Sequence, residues 1–275
     1  MKKVVIIKNP RLSSHREADE VVSFLVSSGV EHVVLSTTDY GSLTDIEKEF
    51  LLSADTAICI GGDGTILSAG RLLLERSIPI FGINTGHLGY LTTAEPQEAI
   101  EALRKVANGS FTVEERVTLS INYRNKEYFC INEGVFHRGE QPHLLKVGVD
   151  VNGHEVDSIR GDGILIATPT GSTAYNLSAG GPVVAPTAKG MVVTPVCAHS
   201  LSARPVVLAE NDTVTISVYP DGSEAGLAVD GKNVGKVAHG EKVKINISDK
   251  KLLLIRTEER SFYQTLQKKL SENNF

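Results

Sequence analysis

Ile60-Gly61-Gly62-Asp63-Gly64-Thr65 closes the apolar run Thr56 to Ile60 and opens a helical pattern over Ile66 to Glu75. A buried strand that turns directly into a helix is the repeating unit of a parallel sheet with crossover helices. Such sheets bind their ligands beyond the carboxyl ends of the strands. The glycines around Asp63 free backbone N–H groups for close approach, and the helix N-terminus adds partial positive charge. The corner therefore reads as a place that handles phosphate and holds one carboxylate. From these residues alone Asp63 has two readings, a helix N-cap or a base.

Working outward, Lys3 to Ile7 reads as a strand, Ser14 to Ser27 as a helix, His32 to Leu35 and Ile78 to Ile83 as strands, and Gln97 to Val106 as a helix opened by Pro96. After Asn108-Gly109 the pattern changes to β-rich segments, among them Val117 to Tyr123, Leu145 to Val151 and Thr213 to Val218. Asn152-Gly153, Pro220-Asp221-Gly222 and Val229-Asp230-Gly231 read as turns between them. The expected fold is an α/β N-terminal domain with a parallel sheet plus a mostly antiparallel β-rich C-terminal domain. The expected boundaries are 1–110, joined by a C-terminal helix within 261–275, and 111–260. Phe262, Leu266 and Leu270 mark the face by which that last helix should pack back, on the first domain.

Composition narrows the class. A formal net charge of −5, with 28 Lys and Arg dispersed among 33 Asp and Glu, argues against a nucleic-acid partner, so an anionic ligand must be held locally. An apolar content of 41% suits a globular chain rather than a disordered one. Cys59, Cys130 and Cys197 are isolated, which fits a reducing compartment. No apolar run reaches the length of a membrane span or a signal-peptide core. A cytoplasmic protein with no membrane partner is expected.

A second small-residue block, Gly161 to Pro182, carries Thr170-Gly171-Ser172-Thr173 after a strand. Hydroxyls and bare backbone there suit hydrogen bonds to phosphate or amide groups. Asn132-Glu133 pairs an amide that donates and accepts with an acceptor-only carboxylate, the complement of ribose hydroxyls or an adenine amino group, but as an isolated pair it reads as ordinary surface. The familiar alternatives are missing from the sequence: no GxxxxGK[ST], no GxGxxG, no His/Cys metal spacing and no GxSxG elbow. His199, alone among Ser and Ala residues, reads as structural.

Gly61-Gly62-Asp63-Gly64-Thr65 resembles the signature shared by NAD kinases, diacylglycerol kinases, sphingosine kinases and, more distantly, phosphofructokinases. Gly161-Asp162-Gly163-Ile164-Leu165-Ile166-Ala167-Thr168-Pro169-Thr170-Gly171-Ser172-Thr173-Ala174-Tyr175-Asn176-Leu177-Ser178-Ala179-Gly180-Gly181-Pro182 resembles the glycine-rich motif of the NAD kinases in particular. Asn84 to Thr92, Asn132-Glu133 and His199 to Pro205 resemble further motifs of that family in the same order. Tyr90 stands where the family has Phe, and Ala198 where Pro is common.

The resemblance implies phosphoryl transfer from ATP, or from inorganic polyphosphate, to the adenosine-ribose 2′-hydroxyl of NAD or NADH. Asp63 would be the general base, and Gly61, Gly62, Asp63, Gly64 and Thr65 would handle phosphate. Asn132, Glu133, Arg160, Asp162, Thr173, Ala174, Tyr175, Asn176 and Ser178 would bind the dinucleotide, with Tyr175 equally readable as a packed aromatic. Mg²⁺ would arrive with ATP, without a protein metal cage. A homo-oligomer, dimer or tetramer, is also implied. Two alternatives stay open at this point: a lipid kinase sharing the GGDGT corner, and a non-catalytic NAD(P) sensor.

Overall fold

The computed structural model describes residues 1–10, 16–86, 89–140, 143–258 and 261–272. The chain forms two compact units, Met1–Glu115 with Leu252–Phe275, and Arg116–Lys251. It passes from one to the other twice, both times inside a strand.

The first unit runs β1 (Lys3–Lys8), α1 (Arg16–Ser27), β2 (Glu31–Val34), α2 (Asp45–Ser53), β3 (Thr56–Ile60), α3 (Asp63–Leu73), β4 (Ile80–Ile83) and α4 (Ala99–Ala107), then the start of β5 (Thr112–Tyr123). β1 lies between β2 and β3 and β4 beside β3, all parallel. β3 and β4 are buried along their whole length, as befits strands covered on both faces by crossover helices. Val4, Ile6, Ile58, Ile60, Phe81 and Ile83 form the core with Val21 and Leu25 of α1 and Leu103 and Val106 of α4. The strand order reverses on either side of β1. That reversal opens a crevice at the carboxyl ends of β1 and β3.

The second unit is antiparallel. It holds the rest of β5, then β6 (Lys126–Cys130), β7 (Glu133–His137), β8 (Leu145–Val151), β9 (His154–Gly161), β10 (Gly163–Ala167), the short α5 (Tyr175–Ser178), β11 (Gly190–Val196), β12 (Val206–Ala209), β13 (Val214–Val218), β14 (Ala225–Val229), β15 (Lys232–Val237) and most of β16 (Lys242–Arg256). One six-stranded sheet has the order β12-β11-β10-β7-β14-β15. β9, β8, β13 and β16 pair in succession beside it in this unit's core, where Phe136, Ile164 and Met191 meet Val147, Ile216 and Ile245. Asn152-Gly153 and Asp230-Gly231 make two-residue hairpin turns, all four residues having positive φ, the geometry that matches strand twist.

The last residues of β16 return to the first unit, where Leu254 pairs in parallel with Ile80, and α6 (Phe262–Glu272) follows. Phe262 packs on Tyr90, whereas Leu270, expected on the packing face, is exposed because the helix turns that position outward. α2 is the helix the periodicity did not reveal. Its signal is a capping box: Thr44 Oγ1 accepts from the Glu47 N–H, and the Glu47 carboxylate accepts from the Thr44 N–H. Ser14 and His15, the start expected for α1, lie outside the described residues.

Candidate active site

Gly62, not Asp63, occupies the N-cap position of α3. Asp63 is the first helical residue, and its carboxylate turns away from the helix to accept the N–H groups of Tyr90 and Leu91, each at 2.9 Å. The cap reading is therefore replaced by a pin. An ionised carboxylate has about four acceptor positions, so two hydrogen bonds orient it and leave capacity for a substrate proton. The segment it pins follows β4 and includes part of the Asn84–Thr92 motif, of which His87 and Leu88 lie outside the described residues.

The glycines of this corner do different work. A Cβ on Gly61 would stand 2.2 Å from Thr65 Oγ1, so packing demands glycine there. A Cβ on Gly62 or Gly64 would meet nothing within 4 Å. The protein itself does not need those two to be bare. Both line a cavity of about 670 Å³ at the carboxyl ends of β1, β2 and β3, with Lys8, Asn9, Thr37 and Thr65 among its other walls. The expectation that every N–H from Gly61 to Thr65 serves a ligand needs correcting. The Gly61 N–H donates to the Ile83 carbonyl and the Thr65 N–H to the Gly62 carbonyl. Helix geometry leaves the N–H groups of Asp63 and Gly64 without an intrahelical acceptor, and these point the same partial charge toward an anion.

In the second unit β7 and β10 pair so that Ala167 lies opposite Glu133. That register sets Asn132-Glu133 beside the start of the glycine-rich segment. Thr168 ties the two together, its N–H donating to the Asn132 carbonyl and its hydroxyl to the Ile131 carbonyl. Gly171 comes so close that a Cβ would lie 2.2 Å from the Asn132 carbonyl oxygen. The Asp230 carboxylate, at the tip of the β14–β15 turn, accepts the N–H groups of Ile131 and Asn132. Glu133 is buried, and its Oε2 has no hydrogen-bond partner. Burial first, and the Asp230 charge second, raise the Glu133 carboxyl to about 7, while the donating Tyr175 N–H pulls the other way.

Thr170 to Thr173 form a turn of 3₁₀ helix and Tyr175–Ser178 a single helical turn, shorter than the helix expected to begin near Ala174. Thr173 and Ala174 are half-buried, while Tyr175 and Ser178 are exposed. Asn176 requires a correction. It is fully buried, its amide nitrogen donates to the Ser172 and Pro182 carbonyls, and its Oδ1 accepts from Thr194 Oγ1. Its side chain braces the loop from inside and presents nothing to a ligand.

Asp162 joins β9 to β10, and its carboxylate takes Arg138 Nε at 2.6 Å. Arg138 carries no motif, so only the fold reveals that the Asp162 charge is already partnered. Arg160 is exposed, and its carbonyl accepts the N–H of His199, which is exposed too. Arg256 also escaped the sequence reading. Its guanidinium donates to the carbonyls of Leu91 and Thr92 in the segment that Asp63 pins. Among the described residues no three His, Cys, Asp or Glu side chains gather in a way that could hold a metal ion, and no helix is long and apolar enough to cross a membrane.

The chain is similar to known proteins over most of its length. Residues 4–111 match the ATP-NAD kinase N-terminal domain and residues 131–257 the ATP-NAD kinase C-terminal domain. A protein of Thermoanaerobacter sp. (strain X514) named NAD kinase is 33% identical over 99% of this chain and 100% of its own length. One of the same name from Methanothermobacter thermautotrophicus is 35% identical over 93% and 91%. Among solved structures, yeast NADH kinase complexed with NADH superposes with a TM-score of 0.86 at 25% identity, covering 100% of this chain and 89% of that one. An NAD kinase from Archaeoglobus fulgidus in complex with ATP gives 0.81 at 27% identity, covering 97% and 99%.

Proposed function

This chain belongs to the NAD kinase family and is a kinase that phosphorylates NAD to NADP, and from that premise we propose that Asp63 is its general base. The observation that carries the assignment is the pinning of Asp63 by the Tyr90 and Leu91 N–H groups. It fixes the carboxylate at the mouth of a strand-to-helix corner while leaving acceptor capacity for a proton.

In this reading a 2′-hydroxyl oxygen of NAD attacks the terminal phosphorus of ATP. The new O–P bond forms, the bond to the bridging oxygen breaks, ADP leaves, and Asp63 takes the hydroxyl proton. A secondary alcohol is a poor nucleophile at neutral pH, so a positioned acceptor contributes about 10²- to 10⁴-fold. Charge on the transferring group is met by the Asp63 and Gly64 N–H groups and the α3 N-terminus. ATP would enter with its own Mg²⁺, a hard cation that keeps several waters and would be held chiefly by phosphate oxygens. Glu133, Asn132 and Asp162 hold the adenosine half of NAD, with Thr173, Ala174, Tyr175 and Ser178 along the same segment and Arg160 near it. A crevice of about 670 Å³ has room for ATP as the donor.

Two assignments complete the proposal. The protein works in the cytoplasm, in keeping with free thiols at Cys59, Cys130 and Cys197. It works as a homo-oligomer: Val206 and Val207 are exposed on β12, an outermost strand, and Leu201 before it is 92% exposed. The deciding experiment is a coupled assay with NAD, ATP and Mg²⁺ that detects NADP, run on the wild type and on Asp63→Asn. Turnover lost in the variant, with NAD still bound, supports the base. Turnover retained removes Asp63 from the chemistry.

A further inference from the structure

We infer that Arg256 is a positioning residue for catalysis, acting on Asp63 through the peptide group that joins Tyr90 to Leu91. The inference rests on the reading of Asp63 as base. The Leu91 N–H of that peptide donates to Asp63 Oδ1 at 2.9 Å, and its carbonyl, that of Tyr90, accepts Arg256 Nη2 at 3.4 Å. One peptide dipole thus lies between a carboxylate and a guanidinium, its positive end toward the anion and its negative end toward the cation. Both charges favour the same orientation. Arg256 Nη1 holds the next two carbonyls, Leu91 at 3.2 Å and Thr92 at 2.8 Å, so three consecutive carbonyls converge on one planar fork.

The fork is itself anchored. Arg256 Nε donates to Glu114 Oε2 at 2.6 Å, and the two side chains are only 13% and 23% exposed. A partly buried, planar donor set keeps its geometry in a way a flexible ammonium does not. Thr93, the next residue, donates its hydroxyl to the carbonyl of Ile255, so the same strand end grips the segment twice. The segment that aims Asp63 is held on its N–H side by Asp63 and on its C=O side by β16. Misplacing a base by about 1 Å costs on the order of 100-fold in rate. That is the effect Arg256 prevents.

The test measures kcat, the KM values for NAD and ATP, and NAD-binding stoichiometry by calorimetry for Arg256→Lys and Glu114→Gln, with Asp63→Asn beside them. Lysine keeps the charge and loses the fork, whereas Glu114→Gln loosens the anchor without touching the 90–92 segment. The expected result for Arg256→Lys is a fall in kcat per NAD-binding site of roughly 10- to 100-fold, with KM values within about twofold of wild type. Glu114→Gln should show a smaller fall of the same kind. Kcat per binding site unchanged in both variants overturns the inference, as does a loss of rate that only follows a loss of binding sites, the mark of a purely structural role. If Asp63→Asn turns over normally, the reading of Asp63 fails. If Asp63→Asn is dead while both other variants are fully active, only the role of Arg256 fails.

Discussion

Glu133, buried, and Asp230, half-buried, share one corner on unequal terms. The Asp230 N–H donates to the Glu133 carbonyl at 3.0 Å, and the Asp230 carboxylate is satisfied by the N–H groups of Ile131 and Asn132, while Glu133 keeps one oxygen without a partner. The turn that carries Asp230 therefore organises the backbone around a carboxyl reserved for something else. An NAD hydroxyl or amino group is what we propose fills that role.

That corner carries a pH signature. Glu133 titrates near 7 in the folded chain, against 4.5 when unfolded. Between those values the native state binds more protons than the unfolded state, so the group's contribution to stability falls as pH rises through this window and is lowest above it. The full span corresponds to a penalty of about 3 kcal/mol. The melting temperature of Glu133→Gln should gain on wild type as pH goes from 5 to 8, read by calorimetry across that range. A difference independent of pH would show that Glu133 is charged at every pH in the range.

Removing the same carboxyl should raise the NAD requirement. Glu133→Ala is expected to increase the KM for NAD about tenfold or more while changing kcat little, because the group binds ground state and transition state alike. Steady-state kinetics at saturating ATP decides it, and a pure kcat defect would contradict the assignment.

The glycine corner separates into packing and binding positions. Gly61→Ala should destabilise the fold, since Thr65 must move. Gly62→Val should fold with a near-native melting temperature and lose most of its activity, because the side chain projects into open space where an anion would approach. Thermal melts beside initial rates distinguish the two, and full activity in Gly62→Val would remove the phosphate role.

Asp63→Asn should do two things at once. Asparagine offers one acceptor oxygen where the carboxylate offers two, so one of the Tyr90 and Leu91 N–H groups loses its partner at about 1–3 kcal/mol. Turnover should vanish with NAD affinity nearly intact. A rate loss with no change in stability would mean the pinning bonds re-form.

Asn176→Ala should cost about 3 kcal/mol by orphaning Thr194 and two loop carbonyls. Denaturant unfolding reads this directly. Tyr175→Ala, a few ångströms of chain away and exposed, should leave stability alone.

Much of this was legible because the signals were local. Strand-to-helix alternation marked β1, β3 and β4, and Asn-Gly and Asp-Gly pairs marked hairpins whose positive φ values only such residues adopt readily. Asp63 stood out for the same reason, inside a short motif, whereas Glu133 was singled out by family resemblance alone. What escaped were features made by chain segments far apart in sequence. Nothing near Arg138 announces Asp162, and nothing near Arg256 announces Tyr90. Asn176 sat in a binding motif, yet its orientation was decided by Thr194 on a neighbouring strand. Gly61 and Gly62 are indistinguishable in sequence, and only the position of Thr65 separates them.

The first unit is written in two instalments, with Leu252 onward reached only after the whole second unit has been synthesised. A nascent or prematurely stopped chain ending at Lys251 would hold Asp63 and both glycine-rich corners, but not the guanidinium that grips the segment behind Asp63. Folding during translation can complete the second unit before Leu252 to Arg256 of the first have been added. If Arg256 aims Asp63 as proposed, full phosphoryl-transfer activity waits on residues added after the second unit, and an abortive fragment ending at Lys251 is expected to be a poor consumer of ATP.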